Sequence, residues 1–253
     1  MKTNNLKGDM LIFGTFISRR SNRRKRRRFF INIFLILSIS VCYFIILVKE
    51  GNCQEINTTE TKSMLTEKYD GLVAYWSFDE GKGEIAFDYS GNSNHLEMRS
   101  VKWTEGICGQ GIFLERNSRC FCAYELESCF VFLDDYTIEV WVKHTTKESQ
   151  IYVSKWAGSG NMSGWWLGYY DGRVQFGDYY DGGQSRIKGP DIADNQWHYV
   201  VGVRKGTNLY LFVDGENVAK GTSAGKVAGD NIAPVRIGGF GTGGYIYWQF
   251  KGL

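Results

Sequence analysis

The chain has 253 residues, with 15% aromatic side chains, 31 glycines and only 2 prolines; that balance favours pleated strands joined by glycine turns over a helical or disordered protein. Its formal charge of +3 is uneven: residues 1–28 hold ten Lys/Arg and one Asp, so the remainder carries 20 basic against 26 acidic residues, a balance of −6. A body of that sign lacks the clustered basic face a nucleic acid requires and suits a calcium or carbohydrate partner better.

Residues 1–28 read as a cytoplasmic basic arm, ending in RRSNRRKRRR from Arg19 to Arg28, and Phe29 to Val48 follow as twenty residues without a charge. About twenty apolar residues span a bilayer as a helix, and the basic block keeps its side cytoplasmic. The segment 29–48 is therefore expected to be a transmembrane signal anchor, with the C-terminal domain extracellular or periplasmic. A cleaved signal peptide would have a shorter apolar core and a small-residue cleavage site, and VKEGNCQE follows instead. Residues 49–68, polar and without apolar period, read as a linker.

The folded part is expected over residues 69–253. Strands are predicted from alternation at GLVAYWSF (71–78), YTIEVWVK (136–143), IYVSKW (151–156), WWLGYY (165–170), RVQFG (173–177), WHYVVGVR (197–204), NLYLFVDG (208–215) and VRIGGF (235–240). Asp171-Gly172 and Asp214-Gly215 are hairpin turns of the kind that needs positive φ. Many short strands at this spacing predict an all-β antiparallel sandwich, a jelly roll.

A two-residue turn at Asp171-Gly172 fixes the register around it: Tyr170 faces Arg173, Tyr169 faces Val174, Gly168 faces Gln175 and Leu167 faces Phe176. Trp165, Leu167, Tyr169, Val174 and Phe176 then share an apolar face, which must be core. Trp166, Gly168, Tyr170, Arg173 and Gln175 share the other. Two rings flanking a glycine, beside a guanidinium and an amide, would offer a sugar a stacking surface and donors. The alternative is a cross-strand pair, Tyr170 over Arg173, that stabilises the hairpin and recognises nothing. Tyr179 and Tyr180, in the second YYDG, are expected in a glycine-rich loop where aromatics contact a partner.

The words GLVAYWSFDEGKG, FDYSGNSNH, GICGQGIFLE, YTIEVWVK, DNQWHYVVGVRKGTNLYLFVDGENVAKGT and PVRIGGFGTGGYIYWQFKGL occur in this order, and together they resemble a laminin G-like, concanavalin A-like jelly-roll domain from about Tyr69 to the end. The resemblance implies a further strand beyond the final FKG, so the sequence is expected to be a fragment. It also implies calcium near DYSGNSN, where Asp88, Ser90, Asn92 and Asn94 place oxygens at alternate positions, as a cation with 6 to 8 oxygen ligands requires. An Asn/Asp turn bonding its own backbone explains the same residues.

Cys108, Cys120, Cys122 and Cys129 are expected to form two disulfides, with three possible pairings. No paired C-x-x-C knuckles favour zinc. Catalytic residues are not expected: Glu139 has no carboxylate companion on its strand, and His95 and His144 have no evident nucleophile. The function expected is a membrane-anchored, extracytoplasmic module that recognises carbohydrate or an extracellular protein, with calcium as a candidate cofactor. The alternative is a glycoside hydrolase, or an accessory domain of one, whose catalytic part lies outside the sequence.

Overall fold

The computed structural model describes residues 10–19, 71–115, 118–122, 130–132, 135–156, 164–180, 183–225 and 233–241. In chain order the strands are β1 (Met10–Arg19), β2 (Leu72–Trp76), β3 (Ile85–Ala86), β4 (Leu96–Arg99), β5 (Lys102–Glu105), β6 (Gln110–Leu114), β7 (Arg119–Cys122) and β8 (Tyr136–His144). They continue as β9 (Gln150–Trp156), β10 (Gly164–Tyr170), β11 (Arg173–Tyr180), β12 (Gly183–Lys188), β13 (His198–Lys205), β14 (Asn208–Val213), β15 (Glu216–Thr222) and β16 (Arg236–Ile237).

Two antiparallel sheets result. The first runs β15-β14-β13-β8-β1-β6-β5, with β2 also paired to β1, and the second runs β12-β11-β10-β9-β16-β7-β4-β3. Both predicted two-residue turns have positive φ at each central residue: 54° and 74° at Asp171 and Gly172, 52° and 87° at Asp214 and Gly215. Such turns match the twist of the flanking strands and hold them in register.

The core lies between the sheets. Ile138, Val140 and Val142 of β8 and Leu209 and Leu211 of β14 meet Trp165, Leu167 and Tyr169 of β10 and Val174 and Phe176 of β11. Each such side chain contributes about 1.5–3 kcal/mol by leaving water. Trp165 lies nearly parallel to Phe132, ring centroids 5.9 Å apart, and its Nε1–H donates to the Phe130 carbonyl at 3.2 Å. Polar ties cross the same space. Arg204 of β13 pairs with Asp178 of β11, both side chains almost fully buried, and also donates to the carbonyls of Gly206 and Gly225.

Met10–Arg19, assigned from the sequence to the basic arm, instead pair with β8 from Met10↔His144 to Arg19↔Tyr136, and Ile17 is buried in the core. Among the described residues no helix is long and apolar enough to cross a membrane; residues 29–48 and the linker lie outside the described residues.

Candidate functional site

The hairpin of β10 and β11 has the register its turn dictates, Tyr170↔Arg173, Tyr169↔Val174, Gly168↔Gln175 and Leu167↔Phe176. The outward face of β9 to β12 follows by parity. One row reads Arg236, Ser154, Trp166, Gly177 and Arg186 across β16, β9, β10, β11 and β12. The next row on the same face holds Trp156, Gly164, Tyr179 and Gln184. On the other side lie Ile151, Gly168, Gln175 and Lys188, then Tyr170 opposite Arg173.

This face carries its own apolar cluster, separate from the core: Ile151, Trp156, Trp166, Tyr179 and Phe240, with Tyr170 packed against them. Trp156 is the centre, stacked on Tyr179 at 4.3 Å and on Phe240 at 4.1 Å. Trp166 lies across Gly177, where an added Cβ would sit 2.8 Å from its Nε1; only glycine leaves room for the indole there.

The expected contact residues therefore divide. Trp166 is only 2% exposed, so it lies within the cluster and not on an open platform. Gln175 is fully buried; its Nε2 donates to the Tyr170 carbonyl at 2.6 Å. Neither the Trp166 Nε1–H nor the Gln175 Oε1 has a hydrogen-bond partner among the described residues, although both are buried. Tyr170 is half-buried and Arg173 exposed. The cation over the Tyr170 ring is Arg186, at 5.3 Å, in place of the expected Arg173, which donates to the Gly189 carbonyl at 3.3 Å. Arg186, Gln184 and Lys188 join the face from β12, a strand without apolar alternation that sequence reasoning missed.

Tyr179 and Tyr180 are a correction, since β11 runs through both and pairs Tyr180 with Gly183 of β12. Tyr179 turns outward onto Trp156. Tyr180 turns the other way, against Gly225, where a Cβ would meet its ring at 2.2 Å. What looked like loop composition is strand because Asp178, which breaks the apolar pattern, is paired with Arg204.

At the other end of the domain, Asp88 accepts from the amides of Tyr75, Ser90 and Asn94 and from the Ser90 hydroxyl, all at 2.8–2.9 Å. Asn92 and Asn94 donate their side-chain amides to the Val73 carbonyl at 3.0 and 2.8 Å. The loop residues proposed as cation ligands are thus engaged with protein donors and acceptors, and the Asn94 Oδ1, buried, has no hydrogen-bond partner among the described residues. No group of three or more His, Cys, Asp or Glu residues gathers among the described residues.

The two-disulfide expectation is corrected at Cys120 and Cys122. Cys120 is a buried thiol outside any disulfide, and the buried Cys122 Sγ donates to the Asn94 carbonyl at 3.7 Å; they share the inward face of β7 as predicted, opposite Met98 and Leu96 of β4. Burial pushes the Cys120 thiol well above its ordinary range. Cys108 is disulfide-bonded, and Cys129 lies outside the described residues.

Glu139 stands on the outward face of the first sheet, buried, accepting from the Tyr199 hydroxyl. Burial raises its carboxyl above the usual range, partly offset by that hydrogen bond. His198 bridges Asp214 at 2.7 Å and Asp194 at 3.1 Å, an arrangement that joins two loops.

Residues 125–251 match the model of the concanavalin A-like lectin/glucanases superfamily, in its laminin G form. No curated protein matches the chain by sequence. Among solved structures the chain is similar to domain 4 of AbnA, a GH43 extracellular arabinanase from Geobacillus stearothermophilus, in complex with arabinotriose. Identity is 17%, covering 72% of this chain and 87% of that one, with a TM-score of 0.53. It is also similar to the binding domain of Paraclostridial Mosquitocidal Protein 1, at 19% identity over 68% of this chain and 43% of that one, with a TM-score of 0.51. Domains LG4-5 of the mouse laminin alpha1 chain match at 16% identity and a TM-score of 0.37 over 46% of this chain. The chain spans 33% of that laminin structure's length and 43% of the mosquitocidal binding domain's. At these identities the likeness is one of fold.

Proposed function

Because the chain belongs to the concanavalin A-like lectin/glucanases superfamily, we propose that it is a non-catalytic binding module that takes carbohydrate on the outward face of β9 to β12. The observation that carries this reading is the second aromatic cluster. These five apolar side chains gather on the outward side of the second sheet, apart from the core and themselves nearly buried, so a ligand would meet the cluster at its rim. Tyr170, Arg173 and Arg186 supply its accessible rim, and aromatic surface beside hydrogen-bonding groups is what a sugar ring requires. The arabinanase domain named above was solved with arabinotriose, and an accessory role beside a glycosidase is the second reading that this likeness favours.

The module is proposed to work outside the cytoplasm, attached to a membrane through residues 29–48. Such attachment has a consequence for the fold. A single crossing there carries residues 10–19 to the far side and takes β1 out of the sheet. Calcium assistance at the Asp88 loop is part of the same proposal, and a cation there would have to displace the donors that Asp88 already holds.

A glycan array probed with the full chain, with and without EDTA, tests the reading. Binding of a defined glycan that falls at least tenfold in Tyr170→Ala supports it. A protein partner bound equally by the wild type and Tyr170→Ala, with no glycan bound at all, would remove the sugar face.

A further inference from the structure

The chain beyond residue 28 is acidic by six charges, yet the outward face of β9 to β12 reverses that sign. Its strands place Arg173, Arg186 and Lys188 outward, and among the described residues they place no Asp or Glu there. Lys188 pairs with Asp171 of the hairpin turn at 3.6 Å. Neither Arg173 nor Arg186 has a carboxylate partner among the described residues. Arg186 is held over the Tyr170 ring, which leaves the guanidinium edge for hydrogen bonding, since a ring engages only its face.

The hydrogen-bonding inventory is lopsided in the same sense. Arg173, Arg186 and Lys188, all exposed, donate and cannot accept. Against them stand the side-chain amide of Gln184 and the hydroxyl of Tyr170, which are neutral. A neutral sugar's hydroxyls can accept from these donors but bring no charge to offset theirs. Carboxylates and sulfates only accept, and they pair best with guanidinium groups. Resting on the carbohydrate reading above, we infer that the ligand class of this face is an acidic oligosaccharide, one bearing carboxylate or sulfate groups.

The test titrates the full chain with three probes of equal length: a galacturonate pentamer, the matching neutral galactose pentamer, and a sulfated oligosaccharide. Each is run against the wild type and against Arg173→Gln/Arg186→Gln. Both substituted residues are exposed, and the basic run Arg19–Arg28 is untouched. The expected result is that at least one acidic probe binds roughly tenfold or more tighter than the neutral one, the scale of a charge-assisted hydrogen bond. Its affinity falls with added salt, and the double variant loses the preference. The carboxylated and sulfated arms identify which anion serves. Equal affinity for neutral and acidic probes overturns the inference and leaves the carbohydrate reading standing. Acidic preference undiminished in the double variant also overturns it, because the attraction then comes from elsewhere, as from the basic run. Binding of none of the three overturns it together with the reading it rests on.

Discussion

His144 gives a quantitative handle on the interior. Its ring is buried between the sheets, with Nε2 2.7 Å from the Tyr152 hydroxyl and Nδ1 3.1 Å from the Thr146 carbonyl. Nδ1 also lies 3.0 Å from the Gln150 side-chain amide. Burial lowers the His144 pKa to about 4, against ~6.5 in an unfolded chain. As pH falls, the unfolded state takes up this proton first. The stabilisation is full above about pH 6.5 and is lost as pH falls to about 4; at ~1.4 kcal/mol per pH unit, the loss is about 3 kcal/mol. Urea unfolding at pH 7 and pH 4, for the wild type and His144→Gln, isolates the effect. Hydrogen bonds from Lys147 and Tyr169 hold Asp191 low, so it titrates below the window. His198, held up chiefly by Asp214, changes in the opposite sense but equally in both proteins. The wild type is expected to lose about 3 kcal/mol more than the variant over this interval. Parallel losses would refute the reasoning.

Other consequences are as definite. Arg204→Met strands the buried Asp178 carboxylate and is expected to lower stability by about 3–5 kcal/mol, read from the urea midpoint; Asp178→Leu in the same chain restores part of it. Deleting residues 1–28 removes the strand between β8 and β6, and at ~0.5–1.5 kcal/mol per ladder hydrogen bond it costs more than about 3 kcal/mol. An unchanged midpoint after that deletion would mean β1 is not part of the folded domain, as a single membrane crossing at 29–48 demands. Asp88→Ala leaves the buried Asn94 amide without its acceptor and is expected to cost about 1–3 kcal/mol in EDTA. A midpoint that rises in the wild type when calcium is added, and not in Asp88→Ala, would instead establish the cation site.

The sequence was most legible where a short-range rule decides. Asp171-Gly172 admits one tight turn, and parity then sorted Trp165 and Tyr169 inward and Trp166 and Tyr170 outward. Parity could not say how buried the outward face is. Ile151 and Trp156 of the neighbouring β9, with Tyr179 of β11 and Phe240 beyond β16, form the cluster that buries Trp166. Strands β12 and β15 were not legible because Gln184, Arg186 and Lys188, or Asn217 and Lys220, leave no apolar alternation; neighbouring strands supply their pairing. β1 was hidden by its proximity to the basic run, whose charges outweighed the alternation before it. The cysteines sharing a face on β7 were read correctly as to side, and wrongly as to partner, because Met98 and Leu96 occupy the positions opposite.

The most direct test of the carbohydrate face is a chemical-shift map of the chain during titration with an oligosaccharide that the array identifies. The account predicts that the largest saturable shifts fall on Tyr170, Arg173 and Arg186 at the rim and on their neighbours Gln175 and Gly177. Saturable shifts confined to the Asp88–Asn94 loop or to the first sheet, with these residues unmoved, would contradict it.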